Sequence, residues 1–240
     1  MMNLPDNIHS IIFGQTGTGK SVLLMWLLKR QTRRKIIFNT KNDDDFLKLP
    51  SRGETVCIIE EPEDLEYLIE NERLTQWIII TPRDDNEAVN WQWYDNFNRL
   101  IFLYCKNSVV AYDELIDLHQ NQRGVCGFWL NKILTQGRGR KTTIIGCSQR
   151  PAGISKAFFS EAKRGFCFDL AWADDIKTAQ KYLRLPRDID LTNYKFWGYN
   201  SQTKESALFS AVKNPLDKAE NQTPRQIKTA GDFKKIDEWV

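Results

Sequence analysis

The 240-residue sequence has few of the residues that build metal centres and disulfide frameworks. It contains two histidines, His9 and His119, and five cysteines that stand singly, without a C-x-x-C pair. This excludes a histidine-rich metal site and a disulfide-stapled fold, and it indicates a reducing, cytoplasmic setting. No apolar run approaches the ~18 residues of a membrane-spanning helix, so no integral membrane segment is expected. The first residues lack the basic start and apolar stretch of a signal peptide, so we expect no secretory leader.

A glycine-rich segment near the start carries the complete G-x-x-x-x-G-K-[ST] pattern of a phosphate-binding P-loop, or Walker A motif. Apolar residues 11–13 predict a short buried strand before it, and the apolar run from Val22 predicts a helix after it. Glycines let backbone N–H groups converge on an anion, and the helix N-terminus adds its positive dipole end. Lys20 is expected to reach the β- and γ-phosphates of ATP, and the Ser21 hydroxyl to ligate Mg²⁺. The predicted nucleotide-binding residues are Gly14, Gln15, Thr16, Gly17, Thr18, Gly19, Lys20 and Ser21.

Two carboxylates follow a second apolar run, at residues 108–112. This run predicts a buried strand with Asp113 at its carboxyl end, the arrangement of a Walker B motif. Asp113 is expected to hold Mg²⁺ through water, opposite the phosphate loop. Glu114 is placed to orient or deprotonate the attacking water. A carboxylate beside the metal aspartate suits hydrolysis, because hydrolysis needs an activated water.

Charge is strongly segregated along the chain, although the net charge is only +3. Residues 43–72 contain eleven acidic and two basic residues, and we interpret them as solvated helix faces that match no motif. Residues 123–164 contain nine basic residues and one acidic residue. A concentrated positive surface suits a polyanion such as DNA, and the predicted contacts are Arg123, Lys156 and Lys163.

The basic stretch also contains an apolar run at 142–148 that ends in Gln149. If this strand lies between the strand of the phosphate loop and the strand of Asp113, Gln149 faces the γ-phosphate. It could then sense whether that phosphate is present. An isolated glutamine would otherwise be interpreted as an exposed loop residue.

Short apolar strands alternate with amphipathic stretches along most of the chain, which predicts an α/β fold with a mostly parallel sheet covered by helices on both faces. The predicted strands are 10–13, 35–39, 56–59, 77–81, 109–113, 142–148 and 165–170, and the predicted helices are 20–30, 62–71, 87–104, 124–135, 157–162 and 174–183. A hairpin is predicted from 195–199 and 206–212. Residues 1–212 are therefore interpreted as an ATPase core, and residues 213–240 as a C-terminal arm.

Three segments together resemble the FtsK–HerA superfamily of DNA-pumping ATPases: GQTGTGKS at 14–21, VVAYDE at 109–114 and GRGRKTTIIGCSQRP at 137–151. The stretch EAKRGFCF at 161–168 is similar to the strand after the superfamily's S/T-Q-R-P motif. The resemblance spans roughly residues 8–212. Within the superfamily the chain is most similar to the genome-packaging ATPases of icosahedral double-stranded DNA viruses with an internal membrane.

This resemblance implies a RecA-like core, a homo-oligomeric ring of six subunits, and double-stranded DNA driven through its centre. It also implies packaging of a viral genome into a preformed capsid, with capsid vertex or portal-like membrane proteins as further partners. The expected location is the host cytoplasm during assembly, with association to a capsid vertex in the virion.

Ring ATPases commonly complete each nucleotide site with an arginine from the neighbouring subunit. Arg138 and Arg140 lie in a glycine-flanked turn before the predicted strand of Gln149, where a guanidinium could extend beyond its own subunit. Arg164, in the next predicted turn, is the alternative. Both arginines of the first turn could instead bind DNA or face solvent.

Several other P-loop functions remain as alternatives. A switch GTPase needs a guanine-reading N-K-x-D, and the only N-K, at Asn131-Lys132, lacks the aspartate. A nucleotide kinase fits the chain length but more usually lacks a pair like Asp113-Glu114. An ATPase of a DNA-transfer, secretion or phage-assembly system is the nearest rival, although such proteins usually carry a membrane span. A non-enzymatic DNA-binding protein would not need Lys20 and Ser21 in this arrangement.

Overall fold

The computed structural model describes residues 8–49, 54–82, 90–121 and 125–215. The strands are β1 (His9–Phe13), β2 (Arg34–Phe38), β3 (Val56–Ile59), β4 (Trp77–Ile80), β5 (Ser108–Tyr112), β6 (His119–Asn121), β7 (Val125–Cys126), β8 (Thr143–Ser148), β9 (Ala162–Cys167), β10 (Phe196–Asn200) and β11 (Ser206–Phe209). The α-helices are α1 (Lys20–Lys29), α2 (Asp44–Leu47), α3 (Pro62–Glu70), α4 (Trp91–Tyr104), α5 (Phe128–Gln136), α6 (Lys156–Glu161) and α7 (Ala173–Leu183).

Nine of these strands form one sheet with the order β11-β10-β9-β1-β8-β5-β2-β4-β3. The seven strands from β9 to β3 in this order run parallel, and the β10–β11 hairpin is antiparallel at one edge. The short β6–β7 pair forms a separate sheet. Because parallel strands share one carboxyl edge, the loops after β1, β2, β5, β8 and β9 meet at the same edge. β8 lies between β1 and β5, as the interpretation of Gln149 requires.

Helices cover both faces of the sheet, each over its own apolar core. One core contains buried side chains of α3 to α7, and the other contains α1 with Phe46 of α2. The central strands are apolar on both faces, since Ile11 and Phe13 pack into the first core and Ile12 into the second. This explains why these strands are continuous apolar runs without polar alternation.

Two buried polar groups fasten neighbouring elements to one another. The Asp95 carboxylate of α4 accepts hydrogen bonds from the backbone N–H groups of Trp129 (3.1 Å) and Leu130 (3.0 Å), in the first turn of α5. His9 of β1 accepts from the Ile144 backbone N–H of β8 at 3.0 Å through Nδ1, and its Nε2 lies 3.1 Å from the Leu134 carbonyl oxygen of α5. The tautomer that satisfies both contacts carries its proton on Nε2.

The predicted fold class is confirmed, and most element boundaries differ from the prediction by one to four residues. β9 begins at Ala162, three residues earlier than predicted, and α2 and the β6–β7 pair were not predicted. The region 216–240, most of the predicted arm, lies outside the described residues, as do residues 83–89 before α4. None of the helices in the described part of the chain has the length and apolar character that a bilayer span requires.

Candidate active site

The phosphate loop joins β1 to α1 at the carboxyl edge of the sheet, and neighbouring strand ends hold it on both sides. The Gly14 N–H donates to the Ser148 carbonyl oxygen at 3.3 Å, at the end of β8. On the other side, the Gln15 N–H and side-chain amide donate to Asp169 after β9, at 3.0 and 2.8 Å. Gly14 has φ +155°, and a β-carbon there would lie 2.6 Å from the Thr18 hydroxyl oxygen. A residue with a side chain would therefore disrupt the loop.

Lys20 lies inside the loop, with only 6% of its surface exposed. Its Nζ donates a 2.7 Å hydrogen bond to the carbonyl oxygen of Gln15 in the same loop. Burial lowers the pKa of Lys20, because the charged ammonium loses hydration there. A phosphate anion entering the loop would compensate that loss, so the position suits an anion-binding lysine.

Asp113 follows β5 directly and is 5% exposed. Its Oδ1 accepts hydrogen bonds from the Thr40 backbone N–H (2.9 Å) and hydroxyl (2.7 Å), just after β2. Burial raises the pKa of Asp113, and the hydrogen bonds from Thr40 oppose this shift. Thr40 thus fixes the orientation of the carboxylate at the carboxyl edge.

Glu114 is 4% exposed and contacts two further elements. Lys41 Nζ lies 2.9 Å from Glu114 Oε2, and the Gln149 backbone N–H lies 3.3 Å from both carboxylate oxygens. Burial alone would lower the pKa of Lys41, but the charge and hydrogen bond of Glu114 raise it above its ordinary value. Glu114 is therefore held beside the phosphate loop, with a cation as its partner.

Gln149 follows β8 and contacts the phosphate loop directly. The Thr16 hydroxyl donates to the Gln149 Oε1 at 2.7 Å. The structure therefore brings the phosphate loop, Gln149 and the Asp113–Glu114 pair together on three adjacent strands, β1, β8 and β5. Gln149 is in contact with the tip of the loop and with Glu114 at the same time.

The donor set at this edge fits Mg²⁺. A serine hydroxyl at Ser21 and a carboxylate at Asp113 are hard oxygen ligands, and Mg²⁺ usually takes one or two protein oxygens, water and substrate phosphates. No group of three or more metal-binding side chains occurs among the described residues. Such a group is not needed where the nucleotide supplies most of the ligands.

The arginines predicted as trans fingers lie far from the phosphate loop of their own subunit. Arg138 and Arg140 occupy a 3₁₀ helix (Gly137–Arg140) before β8, at the opposite edge of the sheet from Gln149. Arg138 is exposed, whereas Arg140 donates to the Leu103 carbonyl oxygen at 3.0 Å and its guanidinium lies 4.6 Å from the Phe102 ring centroid. Their role toward a neighbouring subunit stays a prediction.

Arg164 does not lie in a turn, as the sequence had suggested, but within β9. It is 6% exposed, and its Nε and Nη1 have no hydrogen-bond partner among the described residues. Burial lowers the pKa of Arg164 to about 10. A side chain this deeply buried cannot extend to another subunit without rearrangement.

The residues predicted to contact DNA are partly described. Lys156 begins α6 and is exposed, and Lys163 is half-buried with its Nζ donating to the Ser160 carbonyl oxygen at 2.8 Å. Arg123 lies outside the described residues. DNA binding by all three stays a prediction.

Sequence reasoning missed three residues that hold the predicted site residues in place. Thr40 holds Asp113, Lys41 holds Glu114, and Asp169 holds Gln15. A signal was present, because Thr40 and Lys41 are polar residues directly after the second apolar strand. In a parallel sheet such residues lie at the same edge as the phosphate loop. Their contacts could not be derived without knowing that β2 pairs with β5.

The chain is similar to known packaging proteins. No protein-family model matches it. It is 24% identical over 188 residues to the DNA packaging ATPase of Enterobacteria phage PRD1, covering 77% of the chain and 73% of that protein. Among solved structures, the chain is similar in fold to the genome packaging NTPase of Sulfolobus turreted icosahedral virus 2 in complex with sulfate, with a TM-score of 0.67 and 13% identity. The similarity covers 88% of this chain and 100% of that one.

A second structural relative is VirB4 of Thermoanaerobacter pseudethanolicus, with a TM-score of 0.61, 10% identity, and coverage of 86% of this chain and 90% of that one. At these identities the structural similarities show the fold, which is RecA-like and of the P-loop class. Together with the phage PRD1 relative, they confirm the resemblance to FtsK–HerA type ATPases predicted from the sequence.

Proposed function

We propose that this chain is an ATPase that translocates double-stranded DNA and packages a viral genome into a preformed capsid. One observation carries this proposal: the phosphate loop, Gln149 and the Asp113–Glu114 pair converge at the carboxyl edge of three adjacent strands. The similarity to the DNA packaging ATPase of phage PRD1 and to a genome packaging NTPase supports the choice of DNA packaging.

In the proposed reaction, Glu114 takes a proton from water while the water oxygen attacks the γ-phosphorus. The bond from the γ-phosphorus to the bridging oxygen then breaks, which yields ADP and inorganic phosphate. Lys20 and the loop N–H groups stabilise the charge on the phosphate oxygens. Gln149 contacts both Thr16 of the loop and Glu114, so loss of the γ-phosphate can change the position of both. Mg²⁺, held by Ser21 and through water by Asp113, would neutralise part of the phosphate charge.

The proposed assembly is a ring of six subunits around duplex DNA. A packaging motor must accept any sequence, so its DNA contacts should be to phosphates and not to base edges. The basic segment 123–164 supplies the candidate contacts. Proteins of a capsid vertex are the proposed anchor, during assembly in the host cytoplasm and in the virion.

An ATPase of a DNA-transfer or secretion system is the second candidate function. The observation that favours it is the similarity in fold to VirB4, which extends over 86% of the chain. The active-site chemistry would be the same in both cases. The two candidates differ in whether the partner that anchors the ring belongs to a capsid or to a membrane channel.

The test is ATP hydrolysis by the purified full chain with and without long duplex DNA. We expect duplex DNA to stimulate turnover and the stimulation to fall steeply as salt is raised, because phosphate contacts release counterions. Lys20→Ala should lose nucleotide binding or turnover. Glu114→Gln should keep nucleotide binding but lose turnover, because the amide cannot accept the proton of water.

Wild-type turnover in Glu114→Gln would remove Glu114 from its proposed role. ATP hydrolysis without any response to duplex DNA would contradict the translocase and leave a nucleotide-hydrolysing enzyme of another kind. Strong preference for one DNA sequence would contradict packaging, since a motor that reads bases would stall on most of a genome.

A further inference from the structure

A cavity of about 500 Å³ opens beside the phosphate loop, on the side away from Asp113 and Glu114. Gly17, Gly19 and Ser21 form its loop side, and Phe168 and Tyr194 supply two aromatic side chains. Ala211 and Val212, which follow β11, also line the cavity. This volume is in the range of small-molecule sites. The cavity therefore begins where the phosphates of a bound nucleotide would end.

The aromatic rings lie close to the loop itself. A β-carbon at Gly19, where φ is +106°, would lie 3.2 Å from the Phe168 ring and 3.7 Å from the Tyr194 ring. Phe168 is 1% exposed and belongs to the apolar core, so its position is explained by packing. Tyr194 is different, because 59% of it is exposed although it stands at the edge of a cavity.

Burial in the apolar core does not explain the position of Tyr194. Its side chain has no hydrogen bond and no ring contact with another described residue. Its backbone is left-handed, with φ 59°, directly after Asn193 with φ 56°. A bulky residue in this conformation is strained, whereas asparagine adopts it readily. Strained backbone conformations of this kind concentrate at active sites and ligand clamps.

We propose that this cavity holds the base of the bound nucleotide and that Tyr194 stacks on it. Among the described residues of the lining, Lys20 is the one with a charged side chain, and it faces the phosphate position. Contact with the base is therefore chiefly aromatic and apolar, and stacking requires no particular pattern of hydrogen-bonding groups. The proposal rests on the proposed nucleotide site, and it adds the residue that binds the base.

The experiment is calorimetric titration of the full chain with two ligands, Mg²⁺-ATPγS and Mg²⁺-tripolyphosphate, which has the phosphates but no base. We expect Tyr194→Asn to weaken ATPγS binding about tenfold, because base stacking on an aromatic ring is lost. It should leave tripolyphosphate binding unchanged. Tyr194→Phe keeps the ring and should bind ATPγS like the wild type.

Asparagine is chosen because it removes the ring and tolerates the left-handed backbone, so the loop keeps its shape. Wild-type ATPγS affinity in Tyr194→Asn would overturn the proposal. Equal weakening of both ligands would also overturn it, since Tyr194 would then merely support the phosphate loop. Lys20→Ala should weaken both ligands, and if it weakens neither, the nucleotide site itself is wrong, whatever Tyr194 does.

Discussion

Lys41, after β2, and Glu114, after β5, form an ion pair between two neighbouring strand ends at the carboxyl edge of the sheet. Glu114 is almost completely buried, whereas the side chain of Lys41 is 39% exposed. A buried carboxylate that loses its charged partner is costly to keep ionised. The pair therefore has a structural effect that can be measured without any substrate.

We predict that Lys41→Met lowers the free energy of unfolding by roughly 1–2 kcal/mol, less than for a fully buried pair because Lys41 is partly hydrated. Glu114→Gln in the same chain should recover part of this loss. Urea denaturation of both single variants and the double variant would give a coupling energy of about 1 kcal/mol.

The matched control is Lys48→Met, because Lys48 pairs with Asp44 at 3.4 Å with both side chains more than half exposed. Its effect should stay below about 0.5 kcal/mol. If the changes for Lys41 and Glu114 are simply additive, the contact at 2.9 Å does not stabilise the fold.

At the residue scale, the sequence predicts what lies within one motif and misses what lies between motifs. Roles for Lys20 and Ser21 could be predicted because the spacing of the P-loop is fixed by the turn that its glycines make. Lys41 could not be assigned to Glu114, since 73 residues separate them and the contact depends on strand order. Tyr194 was missed for the same reason, because no local pattern connects it to the loop.

Among the elements, β1, α5 and β8 meet at His9, which is 3% exposed. Burial lowers the pKa of His9 to about 4, although its hydrogen bond to Leu134 opposes the shift. Protonation of Nδ1 would place an N–H against the N–H of Ile144, so the folded protein binds this proton poorly. The unfolded chain binds it near pH 6.5.

Stability should therefore fall as the pH is lowered from about 6.5 towards 4, because the unfolded state takes up a proton that the folded state excludes. Between pH 7 and pH 5 this amounts to roughly 2 kcal/mol. We predict that His9→Gln loses this part of the pH dependence in urea denaturation measured at pH 7, 6 and 5.

The second histidine, His119, is also buried with a lowered pKa. The His9→Gln variant should therefore retain the part of the pH dependence that comes from His119. His119→Gln, measured in the same way, should retain the share of His9. Identical pH profiles for wild type and His9→Gln would show that His9 titrates normally in the folded protein.

At the element scale, periodicity was enough to predict the strands and helices but not their arrangement. Each central strand is apolar on both faces, and this pattern is the same whether a strand lies second or fifth in the sheet. The interpretation of Gln149 required β8 to lie between β1 and β5, and it does. The four-residue α2 and the two-residue β7 are too short to give a periodic signal.

For the whole molecule, the proposed ring predicts that one subunit completes the nucleotide site of another. Arg138 and Arg140 lie at the edge of the sheet opposite the phosphate loop, so they cannot act on the nucleotide of their own subunit. A finger arginine supplied by a neighbour typically raises turnover ~10³–10⁵-fold. We therefore predict that Arg138→Ala or Arg140→Ala loses about 10³ in DNA-stimulated turnover.

Mixing should then restore activity. A Lys20→Ala subunit cannot hydrolyse ATP but can lend its arginine, and an Arg138→Ala or Arg140→Ala subunit has an intact loop. Mixed rings should regain turnover that neither variant has alone. Arg73→Ala changes an exposed arginine directly after the acidic segment 43–72, so it serves as a control and should retain turnover. No recovery in mixed rings with confirmed assembly would leave both arginines as DNA or solvent contacts.

Strand β8 joins two sites that sit at opposite edges of the sheet. It has six residues, Thr143–Ser148, with Gln149 directly after it and the Arg138–Arg140 turn before it. Six residues in extended form span about 20 Å. Hydrogen bonds to β1 on one side and β5 on the other prevent the strand from buckling, so it has little compliance along its axis. We therefore expect a change at Gln149 on phosphate release to be felt at the basic turn, because the short strand between them cannot absorb it by bending.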